Sequence, residues 1–169
     1  EFAKASADRD LEKLRLDFCK FVPSFFLLAA YFGIFAMVNA ELVTQLFGGQ
    51  EFKDATIPVA IMCLYPIHQT YGQMSGSLFY ATGRTRTYRN IGVINVLVGL
   101  GMTAFLILPR DIGGLGLGAE GVAIKMVGIQ LIGVNIQLWY NSKYLKIKYS
   151  KFIIHQLVTI ALFITVAIV

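Results

Sequence analysis

Charged residues are scarce in this 169-residue sequence: they make up 15% of it, whereas an ordinary soluble domain has about 25%. Hydrophobic residues account for 56%. The few charges are unevenly placed, so long stretches contain almost none. This composition excludes a disordered chain, and uncharged stretches of such length are typical of membrane proteins.

Cysteine and histidine are equally sparse, with two residues of each. Cys19 is expected near one membrane face and Cys63 inside a separate apolar run, so we predict no disulfide between them. The sequence contains no His and Cys cluster, no phosphate-binding Gly-rich loop with its Lys, no nucleophile elbow and no acidic pair at catalytic spacing. We therefore expect neither an enzyme nor a metal or cofactor site.

Five long apolar runs dominate what is present. A helix rises about 1.5 Å per residue, so about 20 residues cover a hydrocarbon core of about 30 Å, and each run approaches that length. Because lipid provides no hydrogen-bond partners, such a run must satisfy its own backbone as a helix. We predict an all-α, polytopic bundle of about five transmembrane helices. The predicted spans are residues 21–43, 56–81, 91–108, 121–139 and 152–169.

The fifteen Lys and Arg residues lie mainly between these runs. Three patches, within residues 4–20, 84–89 and 143–151, hold five, three and four of them, whereas the two other connections hold one each. The positive-inside rule places the three patches in the cytoplasm. The net charge of +5 then reflects orientation, and the separation of the patches by membrane spans argues against nucleic-acid binding.

The charged stretch before the first run has Leu11, Leu14 and Phe18 at helical spacing. We expect residues 1–17 to form a cytoplasmic amphipathic lead-in, either in contact with the membrane surface or solvated. Residues 18–169 form the predicted transmembrane part. The sequence opens without Met and stops inside an apolar run, so we expect it to be a piece of a longer polypeptide.

The second run is the least lipid-like of the five. At about 100° per residue, its polar side chains fall within roughly a third of the helix circumference, and Pro66 is expected to kink the helix near the middle of the bilayer. The polar stripe either borders a wet cavity or packs against other helices through Gly72 and Gly76. Its polar members include Tyr65, Gln69, Gln73 and Tyr80.

Three further polar residues lie within the runs. His68 either hydrogen-bonds a neighbouring helix or serves as a proton-linked element or sugar contact. Lys125 either reaches the outer interface, with Glu41 as a partner, or attracts an anionic group such as a pyrophosphate. Asn135 shares a face of the fourth run with Lys125 and is a further cavity candidate.

Three short segments carry a resemblance to a known family. Leu-Phe-Gly-Gly from Leu46 is followed by Tyr-Ala-Thr-Gly-Arg-Thr-Arg from Tyr80 and by Gly-Ala-Glu-Gly-Val-Ala from Gly118. In order and spacing these segments resemble the carboxy-terminal half of polysaccharide biosynthesis flippases. These are the O-antigen and exopolysaccharide transporters related to multidrug extrusion proteins and lipid II flippases. The resemblance covers nearly the whole chain.

The resemblance implies a transporter of about twelve to fourteen helices in two lobes around a hydrophilic cavity, rocking between inward-open and outward-open states. It implies an undecaprenyl-pyrophosphate-linked oligosaccharide as cargo, carried across a bacterial inner membrane. It also implies an amino-terminal lobe of the same polypeptide as the partner of this stretch. Such flippases collect basic residues in the cavity, whereas this sequence offers Lys125 there, with His68 as a weak substitute.

Three other functional classes stay open at this stage. A cation-coupled multidrug exporter of the same superfamily would be expected to carry an acidic residue deep in a helix, and Glu41 is shallow. A membrane-embedded polysaccharide-assembly enzyme would need a large outer loop, and the outer connections here are short. A membrane scaffold would explain close helix packing but not the polar stripe of the second run.

Overall fold

The computed structural model describes residues 1–168, and in that range the chain is helical with no strand. Two 3₁₀ turns, Gln50–Ala55 and Arg110–Ile112, lie in the connections. Four helices, which begin at Leu11, Thr85, Gly118 and Ser150, are long and apolar enough to cross a membrane. The structure therefore agrees with the predicted class, an all-α membrane protein. The α-helices are α1 Phe2–Ala7, α2 Leu11–Val38, α3 Ala40–Gly48, α4 Thr56–Met62, α5 Tyr65–Ala81, α6 Thr85–Ile107, α7 Gly118–Tyr144 and α8 Ser150–Ile168.

The second predicted span, residues 56–81, consists of two helices rather than one. Helix α4 ends at Met62 and α5 begins at Tyr65. Pro66 lies in the first turn of α5, where a backbone N–H donor is not needed. Because proline lacks this donor, it cannot continue the hydrogen bonding of the preceding helix. Helices α4 and α5 have 7 and 17 residues, so neither alone has the length of a span. Residues 56–81 thus form two shorter helices, which separate next to Pro66, where the sequence predicts a kink.

Helix α2 begins well before the first predicted span. The side chain of Asp10 caps its N-terminus by accepting a hydrogen bond from the backbone N–H of Lys13 at 2.8 Å. The helix then continues without interruption through residue 17, where we expected the lead-in to end, and it ends at Val38. Residues 40–43 belong to α3 instead. The predicted end of the last span, Val169, lies outside the described residues.

The three basic patches meet at one end of the bundle. The ring of Phe18 packs edge-on against Phe152, with centroids 5.6 Å apart, and joins the start of α2 to the start of α8. Arg84, in the turn between α5 and α6, donates a hydrogen bond to Asn141 near the end of α7. These contacts agree with the alternating chain direction that the positive-inside pattern predicts.

Glycines allow the central helices to approach closely. Gly72 of α5 lies against Val134 of α7, and Gly99 of α6 packs on the side of α7. Gly33 of α2 lies against the backbone carbonyl of Cys63. Because lipid provides no hydrophobic driving force between helices, such close approach supplies the van der Waals contact that holds them together. Helix α8 packs against α2.

Candidate functional site

A groove of about 1190 Å³ lies between α5, α6 and α7. Helices α5 and α6 meet near their shared turn, where Tyr88 stacks on Phe79 with ring centroids 5.6 Å apart. Further from the turn, α5 and α6 form the two walls, and α7 forms the base. Polar side chains from all three helices line it, beside the apolar Val93, Val96 and Leu97 of α6. Since hydrocarbon offers such groups no partners, the groove must face protein, water or a polar ligand.

The α5 wall contains four of the predicted cavity residues. Tyr65, Gln69 and Gln73 follow one another at intervals of four residues, which places them on one face of the helix, and Tyr80 continues that face towards the turn. Tyr80 is 63% exposed, and Gln73 is also exposed. Amide and phenol groups thus line one side of the groove along most of α5. The structure brings these four residues together.

The α6 wall adds two arginines that the sequence analysis did not assign to the cavity. Arg86 and Arg89 lie one helical turn apart in the first turns of α6, and both are exposed and line the groove. From the distribution of charge, the sequence predicts them only as part of a cytoplasmic basic patch. The helix starts at Thr85, earlier than the predicted span at residue 91, so both arginines belong to α6. Their spacing of three residues, which makes two side chains neighbours on a helix, was the feature of the sequence that could have indicated a pair.

The base of the groove is formed by the face of α7 opposite to the predicted cavity residue Asn135. Gln130 and Gln137 line the groove, whereas Asn135 does not. Asn135 instead faces α8: its Oδ1 accepts hydrogen bonds from Tyr149 Oη at 3.1 Å and from Gln156 Nε2 at 3.0 Å. Because these partners hold its side chain, Asn135 connects two helices rather than lining the groove.

His68 also lies away from the groove. It is 6% exposed, and its ring packs edge-on against Phe26 of α2 at a centroid distance of 5.8 Å. Its Nδ1 lies 3.4 Å from the backbone carbonyl oxygen of Leu64, one turn earlier in the chain. A residue on α5 that points towards α2 cannot also face α6, so His68 belongs to the packed side of the helix.

Lys125 is half-buried near the start of α7 and does not line the groove. The expected ion pair with Glu41 is absent, since the ion pair found within residues 1–168 joins Lys13 to Glu1 at 3.6 Å. Oε1 of Glu41 accepts a hydrogen bond from Gln45 Nε2 of its own helix at 3.1 Å. Lys125 therefore contacts neither Glu41 nor the groove, and its reach to the outer interface stays a prediction.

Arg84 has a different environment from its two neighbours in the basic patch. Its guanidinium lies between the rings of Phe79 and Tyr144, 4.6 and 3.9 Å from their centroids. It donates hydrogen bonds to Oδ1 of Asn141 and to Oγ1 of Thr82. Burial lowers the pKa of this guanidinium, which nevertheless stays charged at neutral pH because arginine is so basic. Arg84 thus connects the α5–α6 turn to α7 at the end of the groove where α5 and α6 meet.

Comparisons of the chain with models of protein families, with characterised proteins and with solved structures gave no match. The geometry alone defines the chain as an all-helical membrane protein with a polar groove that has two arginines at one end. The resemblance to polysaccharide flippases rests on the three sequence segments named above.

Proposed function

We propose that this chain is the carboxy-terminal lobe of a flippase that moves an undecaprenyl-pyrophosphate-linked oligosaccharide across a bacterial inner membrane by alternating access. It makes and breaks no covalent bond. The observation that carries the proposal is the groove between α5, α6 and α7, with amide and phenol groups along it and Arg86 and Arg89 at one end.

The lining favours an anionic, hydroxylated ligand over a cationic one. In the described part of the chain, no acidic side chain lines the groove, whereas two arginines do. Arginine presents a planar fork of donors that fits phosphate oxygens, so the pair suits a pyrophosphate. Amides and phenols donate and accept hydrogen bonds without charge and offer flat faces to sugar rings.

Such a groove solves the physical problem of flipping a glycolipid. A glycan head with many hydroxyls cannot enter hydrocarbon without losing its hydrogen bonds with water. Polar side chains of α5 and α7 replace those bonds while the lipid tail stays among other tails. Arg86 and Arg89 lie next to the basic end of the bundle, which the positive-inside rule assigns to the cytoplasm, where the cargo is loaded.

The open side of the groove supports a second lobe as partner. Exposed polar side chains such as Gln73 and Arg89 would be costly against acyl chains. An amino-terminal lobe of the same polypeptide, closing over α5 and α6, would enclose the cavity and let it open to either side in turn.

The cation-coupled exporter is the alternative within the same superfamily. That class needs a carboxylate in the cavity, and Glu41 is exposed on α3 with its side chain hydrogen-bonded to Gln45. The charge of the groove therefore favours the flippase.

The test uses the whole protein in proteoliposomes with a fluorescent undecaprenyl-pyrophosphate oligosaccharide. We expect wild type to expose the glycan on the opposite leaflet, and the Arg86→Gln, Arg89→Gln double variant to do so at least tenfold more slowly. Lys53→Gln, a change in an exposed connection, is the matched control and should behave as wild type. Transport of a cationic dye without movement of the glycolipid would establish the exporter instead.

A further inference from the structure

Two amides at the groove have oxygen atoms without a hydrogen-bond partner. Oε1 of Gln137, on α7, and Oδ1 of Asn95, on α6, are both buried and both unpaired. Gln137 is only 9% exposed, yet it lines the groove, as Asn95 does. An unpaired buried polar atom costs roughly 1–3 kcal/mol, and each of these oxygens is shielded, so a partner in the groove would bind it after the amide turns towards the groove that its residue lines.

The two amides lie at the same stretch of α7. Asn95 packs directly over Gly133 of α7, where any side chain would collide with its amide group. Gln137 lies one helical turn from Gly133 on the same helix, so both amides lie near one point of the groove base. The glycine at position 133 is what allows the amide of α6 to reach α7.

Their position relative to the arginines separates two functions along the groove. Asn95 follows Arg89 by six residues on α6, which corresponds to about 9 Å along the helix. We therefore place a pyrophosphate nearer to the arginines and the group attached to it nearer to Asn95.

The chemistry of an amide defines that attached group. An amide presents both a donor and an acceptor, and a hydroxyl group satisfies either one, whichever way the amide is turned. The site carries no charge of its own at Asn95 and Gln137, so it suits a neutral group with several hydroxyls. A sugar meets that description, and an acyl chain does not.

We propose that Asn95 and Gln137 form a sugar-binding subsite, distinct from the arginine pair, that recognises the first sugars next to the pyrophosphate. This inference rests on the proposed function. The arginines hold the part common to all undecaprenyl-pyrophosphate lipids, and the two amides distinguish the lipid that carries sugar from the lipid that carries none.

The experiment measures binding of two probes to the whole protein in nanodiscs: undecaprenyl pyrophosphate and the same lipid bearing a disaccharide. The variants are Gln137→Met and Asn95→Leu, which keep side-chain size and remove the amide. Asn95→Ser, which is smaller, tests the same contact if leucine does not fit beside Gly133. Thermal unfolding of each variant identifies those that fold, and the measurement uses those.

We expect wild type to bind the sugar-bearing lipid about tenfold more tightly, the effect of one to two net hydrogen bonds. The amide variants should lose this preference and bind the sugar-free lipid as wild type does. The Arg86→Gln, Arg89→Gln variant should bind both lipids more weakly and keep the preference.

Other outcomes would overturn the subsite. If the amide variants kept the preference, or if wild type bound the two lipids equally, the assignment of Asn95 and Gln137 would be wrong while the flippase proposal stood. If wild type bound neither lipid better than phosphatidylglycerol, the proposed function would fail, and the subsite with it.

Discussion

The phenolic hydroxyl of Tyr71 lies 2.8 Å from Nδ1 of His155, although the two residues are 84 positions apart in the chain. This hydrogen bond joins α5 to α8, and the ring of Phe26 from α2 packs against both side chains. The side of α5 that faces away from the groove is thus held by two other helices. We therefore expect α2, α5 and α8 to move as one unit.

The Tyr71→Phe variant tests this unit. Tyr71 is fully buried, so removal of its hydroxyl leaves the ring nitrogen of His155 without a partner. We expect a loss of about 1 kcal/mol in the free energy of unfolding, measured by denaturant titration in detergent micelles. Tyr31→Phe is the matched control, since Tyr31 is 53% exposed. Equal stability of the two variants would show that the Tyr71–His155 bond contributes nothing.

Arg84→Lys should destabilise the turn between α5 and α6. Lysine keeps the charge but loses the planar group that stacks between Phe79 and Tyr144 and the fork that reaches both Asn141 and Thr82. We expect a loss of about 1–2 kcal/mol in thermal or denaturant unfolding.

Arg86→Lys is the control for that measurement, because Arg86 is exposed and lines the groove rather than packing between rings. It should leave stability unchanged. A variant at position 84 as stable as the one at position 86 would contradict a packing role for Arg84.

Much of the fold was predictable because it follows from properties that run along the chain. The apolar runs and the alternation of basic patches predict helices and their directions without any knowledge of contacts. The split of the second run was only partly predictable. Pro66 indicated a bend, but not that the run would separate into two helices, α4 and α5.

The groove was predictable only in part, because it depends on which face of each helix meets which neighbour. The polar stripe of α5 has to face away from lipid, so Tyr65, Gln69 and Gln73 could be assigned to one shared face from their spacing. Helix α7 carries polar residues on two faces, and nothing in the spacing distinguishes Asn135, which is bound by α8, from Gln137, which lines the groove.

Cysteine labelling tests the orientation. Single cysteines at Gln50 and Asp111 should react with a membrane-impermeant maleimide added to intact cells, in a chain whose own Cys19 and Cys63 are replaced. Cysteines at Arg86 and Lys146 should react only after the membrane is opened, because the basic end is cytoplasmic by the positive-inside rule. The reverse pattern of labelling would invert the molecule in the membrane and place the arginines on the outer side.

Gly133→Ala should disturb the base of the groove. The added methyl group would meet the amide of Asn95, which would have to rotate away from α7 and lose its contact there. We expect a loss of about 1–3 kcal/mol in unfolding free energy. Gly101→Ala provides the control, since a methyl group there would meet no atom within 4 Å. If alanine were tolerated equally at both positions, the Asn95 side chain would not be held in place on Gly133.

The amides of α5 test the transport proposal in cells. Gln69→Leu with Gln73→Leu replaces two hydrogen-bonding groups on one wall of the groove by apolar groups of similar length. We expect surface glycan to fall about tenfold, because each lost hydrogen bond weakens the hold on the glycan head by about 1 kcal/mol. Protein abundance in the membrane should stay constant, which an immunoblot of the same cells measures.

The matched control for these amides is Gln50→Leu, a glutamine in an exposed 3₁₀ turn away from the groove. It should leave both glycan and protein level unchanged. Normal glycan display by the Gln69 and Gln73 variant would remove the α5 wall from the path of the cargo. A fall in glycan matched by a fall in protein would assign the two amides to folding instead. The leucines would then reduce the amount of assembled protein rather than its contact with the cargo.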